Sequence, residues 1–155
     1  MKLLTLTAFA IFLLTGCTSN VNKNVSEDTT SMDTNTALIS PVPLCFQRLD
    51  GTANQDTTTL RLVMEGNKVS GDFNHIPSEK DSRKGSISGV RNGDIIKAVW
   101  NFMQEGITDT LSVEFKLEGN RLLQKNYSIN TQTGRPYLSD ASRFNMEFSK
   151  IDCKK

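Results

Sequence analysis

The chain has 155 residues, with 18 Lys and Arg against 17 Asp and Glu and a hydrophobic content of 37%. Loss of residues 1–16, which we predict below to be cleaved, takes away one basic residue, Lys2, and leaves 17 basic residues against 17 acidic ones. A balanced charge argues against nucleic acid or another polyanion as a partner, because such partners need an excess of basic surface.

The first residues have the form of a targeting signal. Lys2 provides a positive n-region, and an apolar run from Leu3 to Leu14 follows it, interrupted only by threonines. This run is shorter than the roughly 20 apolar residues that a membrane-spanning helix needs. We therefore expect residues 1–16 to be a cleaved signal peptide.

The end of this segment, Leu14-Thr15-Gly16-Cys17, resembles the lipobox of bacterial lipoproteins. The resemblance covers only the first residues, where the positive charge, the apolar run and a terminal Gly-Cys coincide. It implies that Cys17 carries a diacylglyceryl thioether, with acyl chains such as palmitate, and becomes the mature N-terminus. Two or three acyl chains, at about 0.8 kcal/mol per buried CH₂, would then anchor the protein to a membrane. The alternative is an ordinary secretory signal in which Cys17 is incidental.

The residue after the cysteine bears on location. Thr18 is not the Asp that retains lipoproteins at the inner membrane of enterobacteria. The resemblance therefore favours the outer membrane of a bacterial cell envelope, with the folded domain outside the cytoplasm.

A polar segment follows the cysteine. From Thr18 to about Ser40 the chain is rich in Ser, Thr, Asn and Asp and nearly free of apolar residues. Such a segment cannot bury enough surface to fold. We predict that residues 17–40 are a lipidated cysteine and a flexible linker that spans roughly 25 to 30 Å, and that residues 41–155 form one domain.

Apolar residues alternate with polar ones through residues 41–155, and a period of two indicates β-strands. Turn signals around Gly66, Gly93 and Gly119 separate several of these runs. We predict eight strands, at 44–49, 57–65, 68–74, 85–91, 94–104, 108–117, 121–129 and 142–152. This pattern predicts an all-β fold, either an eight-stranded antiparallel up-and-down barrel or a rolled sheet closed on itself.

The two remaining cysteines test the strand count. Cys45 opens the first predicted strand and Cys153 closes the last one. In a meander with an even number of strands these two points lie at the same end, and closure makes the two strands neighbours. We therefore predict a disulfide between Cys45 and Cys153 in an oxidising compartment, the alternative being two free thiols.

The longer connections gather at the opposite end and form our first candidate functional surface, because binding residues are most often carried by loops on a rigid scaffold. The candidate binding residues of this loop rim are Lys80, Arg83, Arg135 and Tyr137. We expect them to contact an envelope protein or a glycan. A solvated loop without a specific site is the alternative.

The inward faces of the strands form a second candidate site. The aromatic residues predicted to line the interior are Phe73, Trp100, Phe102, Phe115 and Phe148. Eight-stranded barrels are either filled by side chains or hold one small ligand, and large apolar residues on every inward face favour a filled core. The meander resembles calycin-type barrels such as lipocalins and avidin-like proteins, which implies a small apolar ligand, although the first strand lacks the Gly-x-Trp of lipocalins.

The residue types that enzymes need are sparse. His75 is the single histidine, is predicted to lie in a loop beside Ile76-Pro77, and supports neither a histidine metal cluster nor a Ser/His/Asp triad. The segment Asp50–Asp56 lacks the EF-hand pattern and is predicted to be a hairpin loop. We predict no catalytic residue, metal ligand or cofactor, and expect a non-enzymatic binding role at the loop rim. The alternatives are a carrier of a small apolar ligand and an inhibitor of a periplasmic hydrolase such as lysozyme, a group that small disulfide-closed lipoprotein barrels resemble in architecture.

Overall fold

A computed structural model describes residues 41–153, so the predicted signal peptide, Cys17 and the linker lie outside the described residues. The described chain forms ten strands. They are β1 (Leu44–Asp50), β2 (Asp56–Glu65), β3 (Lys68–Ile76), β4 (Arg83–Asn92), β5 (Ile95–Gln104), β6 (Ile107–Glu118), β7 (Arg121–Lys125), β8 (Ser128–Ile129), β9 (Pro136–Tyr137) and β10 (Phe144–Ile151).

Eight of these strands form a closed barrel, in the order β1, β10, β7, β6, β5, β4, β3, β2. All of its neighbouring strands are antiparallel, and β1 pairs with β10 to close it. Strands β8 and β9 form a separate two-stranded hairpin, which the chain inserts between β7 and β10. The predicted eight-stranded up-and-down barrel is therefore confirmed.

The two ends of the barrel differ. Tight turns join β2 to β3, β4 to β5 and β6 to β7 at one end, where Gly66, Gly93 and Gly119 have φ values of 61°, 61° and 59°. This left-handed conformation is open to glycine without steric cost. The start of β1 and the end of β10 lie at the same end and are joined by a disulfide between Cys45 and Cys153, as predicted. We call this the disulfide end.

The opposite end, which we call the loop end, carries the remaining connections: residues 51–55, 77–82, 105–106 and 126–143. The predicted seventh strand, 121–129, was too long. Strand β7 stops at Lys125, and the chain then leaves the barrel to pair Ser128–Ile129 with Pro136–Tyr137. Strands β3 and β4 extend further toward the loop end than predicted, to Ile76 and from Arg83.

One continuous cluster of buried hydrophobic side chains occupies the barrel interior. All five predicted interior aromatic residues belong to it, and none of the five is more than 5% exposed. Full burial of one such side chain contributes about 1.5–3 kcal/mol. The Trp100 Nε1–H donates a hydrogen bond of 2.8 Å to the carbonyl oxygen of Phe73, which satisfies the one polar group that this indole brings into the core.

Candidate ligand-binding site at the loop end

The filled core stops short of the loop end, where a cavity of about 350 Å³ opens into the barrel. Pockets that bind small molecules range from about 300 to 1,000 Å³. A groove of about 460 Å³ is larger, but its lining includes the outward-facing Gln47, Leu49 and Glu147, so it lies on the outer wall between β1 and β10. The sequence favoured a filled interior. The structure shows an interior that is filled toward the disulfide end and hollow at the loop end.

The floor of the cavity is apolar. Phe73, Trp100 and Phe148 line it together with Leu111 and Met146. The rings of Phe73 and Trp100 pack with their centroids 4.5 Å apart. Because the indole N–H already donates to a backbone carbonyl, the floor presents carbon surface to an occupant.

The wall of the cavity is polar and comes from several strands. Its polar side chains are Asp50, Thr58, His75, Arg83, Gln124 and Tyr127. Thr58 faces His75 across β2 and β3, and His75 faces Arg83 across β3 and β4. Residues paired in this way point to the same side of a sheet, so the register turns these three side chains inward together.

His75 was predicted to lie in a loop, and that prediction is wrong. It is part of β3, because the alternation that buries Val69 and Phe73 continues for one more inward position. Its Nδ1 lies 2.9 Å from the hydroxyl oxygen of Thr58. Burial, and to a smaller extent the charge of Arg83, lower the pKa of the ring below its ordinary value of 6.5. His75 is therefore neutral at neutral pH.

Asp50 is held by a neighbouring cation. The Nε and Nη2 groups of Arg48 both donate to one carboxylate oxygen of Asp50, at 2.9 and 2.6 Å. The remaining Nη1 of Arg48 is buried, and none of the described residues provides an acceptor for it. A buried donor without an acceptor costs about 1–3 kcal/mol. Asp50 thus contributes a neutralised carboxylate to the wall, while Arg48 itself is not among the residues that line the cavity.

Arg83 is the second charged residue of the wall. Its Nε–H donates to the side-chain oxygen of Gln104 at 2.7 Å, and its guanidinium carbon lies 5.5 Å from the centre of the Phe102 ring. Within residues 41–153 no carboxylate lies within 4.0 Å of it. The aromatic contact and the amide hold the side chain without cancelling its charge.

Tyr127 belongs to the long connection between β7 and β10, which also brings Ile129 and Pro136 to the cavity. The Tyr127 hydroxyl donates to the carbonyl oxygen of Ser112 at 3.2 Å. Burial raises the pKa of Tyr127 to about 12. The phenol is therefore uncharged under physiological conditions and offers polar contacts without charge.

The four loop-rim candidates differ in their contacts. Arg83 lines the cavity, whereas Arg135 donates to Asp109 on β6 at 2.8 Å and so ties the β8–β9 hairpin to the barrel. Tyr137 lies on β9 and is 48% exposed. Lys80 is exposed in the loop of residues 77–82.

The predicted interior aromatics also divide. Three of them form the floor, and Phe102 lies under Arg83 at a smaller groove beside the cavity. Phe115 is fully buried and packs edge-on against Phe73 and Phe148. Phe115 is therefore core, while its two neighbours serve both the core and the cavity.

Sequence reasoning missed most of the polar wall: Asp50, Thr58, His75, Gln124 and Tyr127. A signal for two of them was present, because Thr58 is two residues before Leu60 and His75 is two residues beyond Phe73, on the same face of their strands. Extending these two alternating faces by one inward position toward the loop end predicts both residues to point into the barrel.

Comparison of the chain with protein-family models, with curated proteins and with solved structures finds no match. The resemblance to calycin-type barrels thus stays a prediction. In residues 41–153 there is no helix long and apolar enough to cross a membrane. Across the same residues, no three His, Cys, Asp or Glu side chains come together in a group that could hold a metal ion.

Proposed function

We propose that this chain is a lipoprotein of the bacterial cell envelope whose barrel binds a small molecule in the loop-end cavity, without catalysing a reaction. The observation that carries the proposal is the cavity itself. It combines an aromatic floor of Phe73, Trp100 and Phe148 with a wall of polar side chains in one concave site. An apolar surface with a few convergent polar groups is the usual composition of a small-molecule site.

The position of the cavity supports a tethered binding role. Strand β1 begins, and β10 ends, at the disulfide end. A lipid on Cys17 followed by the linker of residues 17–40 would therefore join the barrel at the end opposite the cavity. Anchoring to a membrane, with the outer membrane favoured, would leave the opening accessible.

The geometry favours the cavity over the other two candidate functions. We expected the loop-rim residues to bind a protein or a glycan, but only Arg83 among them lines the cavity. Arg135 is already paired with Asp109. Inhibition of a hydrolase rests on architectural resemblance alone. The cavity brings Arg83, a candidate of the loop rim, together with three of the predicted interior aromatics, Phe73, Trp100 and Phe148.

A pair of matched substitutions tests binding in the cavity. Met146 lines the cavity, so Met146→Trp should fill part of it and weaken the binding of a neutral apolar probe such as 1-octanol. Met103 is 55% exposed on the outer wall, so Met103→Trp adds the same bulk where no effect is expected. Calorimetric titration measures both. Equal binding of the probe by the two variants would contradict the proposal.

The tether needs a separate experiment. Cys17→Ser removes the only atom to which the lipid could be attached, so the variant should leave the membrane fraction and appear in the soluble fraction of the cells. A variant that stays with the membrane would refute lipid anchoring through this residue. Mass spectrometry of the mature N-terminus provides an independent check on cleavage before Cys17.

A further inference from the structure

We infer that the loop-end cavity selects a small molecule that carries one anionic oxygen group, of the carboxylate type, on an apolar body, and that Arg83 binds the anionic group. This inference rests on the proposed function and specifies its ligand. It follows from the charges around the cavity, from the donors that Arg83 leaves unused and from the level at which Arg83 lies.

One residue accounts for the net charge of the side chains that line the cavity. Among its lining side chains only Asp50 and Arg83 carry a full charge at neutral pH. Asp50 is neutralised by Arg48, with a shortest separation of 2.6 Å. Arg83 has no such partner among the described carboxylates. The cavity therefore has an uncompensated positive charge.

Two neighbouring carboxylates are hydrogen-bonded to other groups. Asp109 lines the adjacent groove, where it accepts from Arg135 at 2.8 Å. Asp56 does not line the cavity, and its Oδ1 accepts the backbone N–H of Ser78 at 2.8 Å. Neither group, nor Glu105 in the adjacent groove, is within salt-bridge distance of Arg83, so an incoming anion would not have to displace any of them.

Arg83 also keeps donors available. A guanidinium has five N–H donors in a planar fork, and the described contacts use the Nε–H, which donates to Gln104. The Phe102 ring supports the guanidinium at 5.5 Å and so limits its motion. A held fork with unused N–H groups matches the two oxygens of a carboxylate.

The depth of Arg83 along the barrel determines the expected orientation of the ligand. In the β3–β4 register Arg83 faces His75, and the next inward pair toward the disulfide end is Phe73 with Gly85. Arg83 thus lies one inward layer closer to the opening than the aromatic floor. An anionic group bound to Arg83 would lie near the opening, and the apolar body would extend onto Phe73, Trp100 and Phe148.

The test uses three probes with the same eight-carbon chain and different head groups: octanoate, 1-octanol and octylammonium. Trp100 is the single tryptophan of the chain and lines the cavity, so its fluorescence reports occupancy. The protein is the full chain carrying Cys17→Ser, at a pH of about 8, where octanoate is ionised. A charge-assisted hydrogen bond should make octanoate bind about tenfold or more tightly than octanol, with octylammonium weakest.

Two substitutions of Arg83 distinguish the loss of its positive charge from a general disturbance of the fold. Arg83→Gln should weaken octanoate binding about tenfold while octanol binding changes by less than about twofold. Arg83→Lys keeps the charge without the fork and should give an intermediate octanoate affinity. Arg61 lies on the outer wall, so Arg61→Gln removes the same charge from the protein and should leave all three affinities unchanged.

Each outcome has a defined meaning. Equal affinities of the unmodified protein for octanoate and octanol would overturn the anion inference and leave the binding cavity standing. Absence of binding by all three probes would overturn both the inference and the proposed function. A retained preference for octanoate in Arg83→Gln would show that another group binds the anion. If Arg83→Gln fails to fold, as judged by circular dichroism, Arg83→Lys gives the decision.

Discussion

The hydroxyl oxygen of Thr58 lies 2.9 Å from Nδ1 of His75, across the β2–β3 pair and inside the barrel. This contact places a titratable ring in the interior, next to aromatic floor residues. Burial lowers the pKa of His75 below 6.5. At a pH just below 6.5 the imidazole is therefore neutral in the folded protein but protonated in the unfolded chain. The stability of the barrel is thereby coupled to pH.

The sign of this coupling gives the first prediction. Between the lowered pKa of folded His75 and about 6.5 the unfolded state binds more protons, so stability should fall as the pH drops through this window. Arg83 and Arg48 deepen the effect, and the carboxylates of Asp56 and Asp50 oppose it. His75→Asn should remove this part of the pH dependence.

Thermal unfolding at about pH 7.5 and about pH 5.5 measures the contribution of His75 to the pH dependence, because histidine side chains titrate between these two values. The loss of melting temperature between the two conditions should be smaller in His75→Asn than in the unmodified protein. Other titrating groups are common to both proteins and cancel in the comparison. Identical losses would show that His75 does not titrate differently in the folded and unfolded states.

The disulfide gives the second prediction. It joins residues 108 positions apart, and in the chain-entropy model a closed loop of this size stabilises the folded state by about 4–5 kcal/mol. The double substitution Cys45→Ser/Cys153→Ser should lower the free energy of unfolding by about this amount in urea titrations. A reducing agent should bring the unmodified protein to the same value and leave the double variant unchanged. An effect below about 1 kcal/mol would contradict the chain-entropy reasoning.

Close packing of β4 on β5 gives the third prediction. A Cβ atom at Gly85 would overlap the carbonyl oxygen of Asn101. Gly85→Ala should therefore push the two strands apart and cost about 1–3 kcal/mol, as overpacking does in other cores. Ser86→Ala is the matched control, because Ser86 is the next residue and points to solvent. Equal stability of the two variants would show that the strands separate without cost.

The link between the β8–β9 hairpin and the barrel gives the fourth prediction. A side-chain hydrogen bond from Arg135 is the main cause of the lowered pKa of Asp109, followed by the backbone N–H of Thr110. Arg135→Gln should raise this pKa toward its ordinary value of 3.8, as measured by NMR titration of the carboxyl carbon. Arg143→Gln is the control, since Arg143 donates to backbone carbonyls of Asp140 and Ser142. Equal pKa values of Asp109 in all three proteins would show that Arg135 is not bound there in solution.

Much of the barrel could be predicted because its inward faces alternate strictly. Strand β5, for example, buries Ile96, Trp100 and Phe102 and exposes Lys97 and Asn101, and no helical period competes with such a pattern. The two cysteines then fixed the parity of the strand count, since an odd number would have placed them at opposite ends. Local periodicity and one covalent constraint were sufficient for the topology.

The seventh strand shows the limit of that reasoning. Residues 126–129 also alternate between polar and apolar, with Tyr127 and Ile129 apolar, and Ser128–Ile129 is a strand, but its partner is Pro136–Tyr137 in a second sheet. Periodicity indicates that a segment is extended without indicating what it pairs with. The pairing of β7 with β10 ends at a hydrogen bond of 3.0 Å from the backbone N–H of Asn126 to the carbonyl oxygen of Arg143, a tertiary contact that a local pattern does not contain.

The open volume of the cavity could not be predicted, for a different reason. Its wall uses inward positions that are polar, such as Thr58, His75 and Gln124, and a search for apolar faces passes over them. The volume of the cavity equals the volume that the strands enclose minus the volume of the side chains that fill it. Both volumes depend on many segments of the sequence at once, so no single segment predicts them.

The first strand of the barrel begins and the last strand ends at the disulfide end, whereas the cavity opens at the loop end. Length and composition of the segment before residue 41 can therefore vary without altering any residue that lines the cavity. Under the proposed tether through Cys17, the distance that the barrel can reach and the selectivity of its opening are therefore separate variables. A longer linker would then extend the reach of the protein while its affinity for a ligand stays constant.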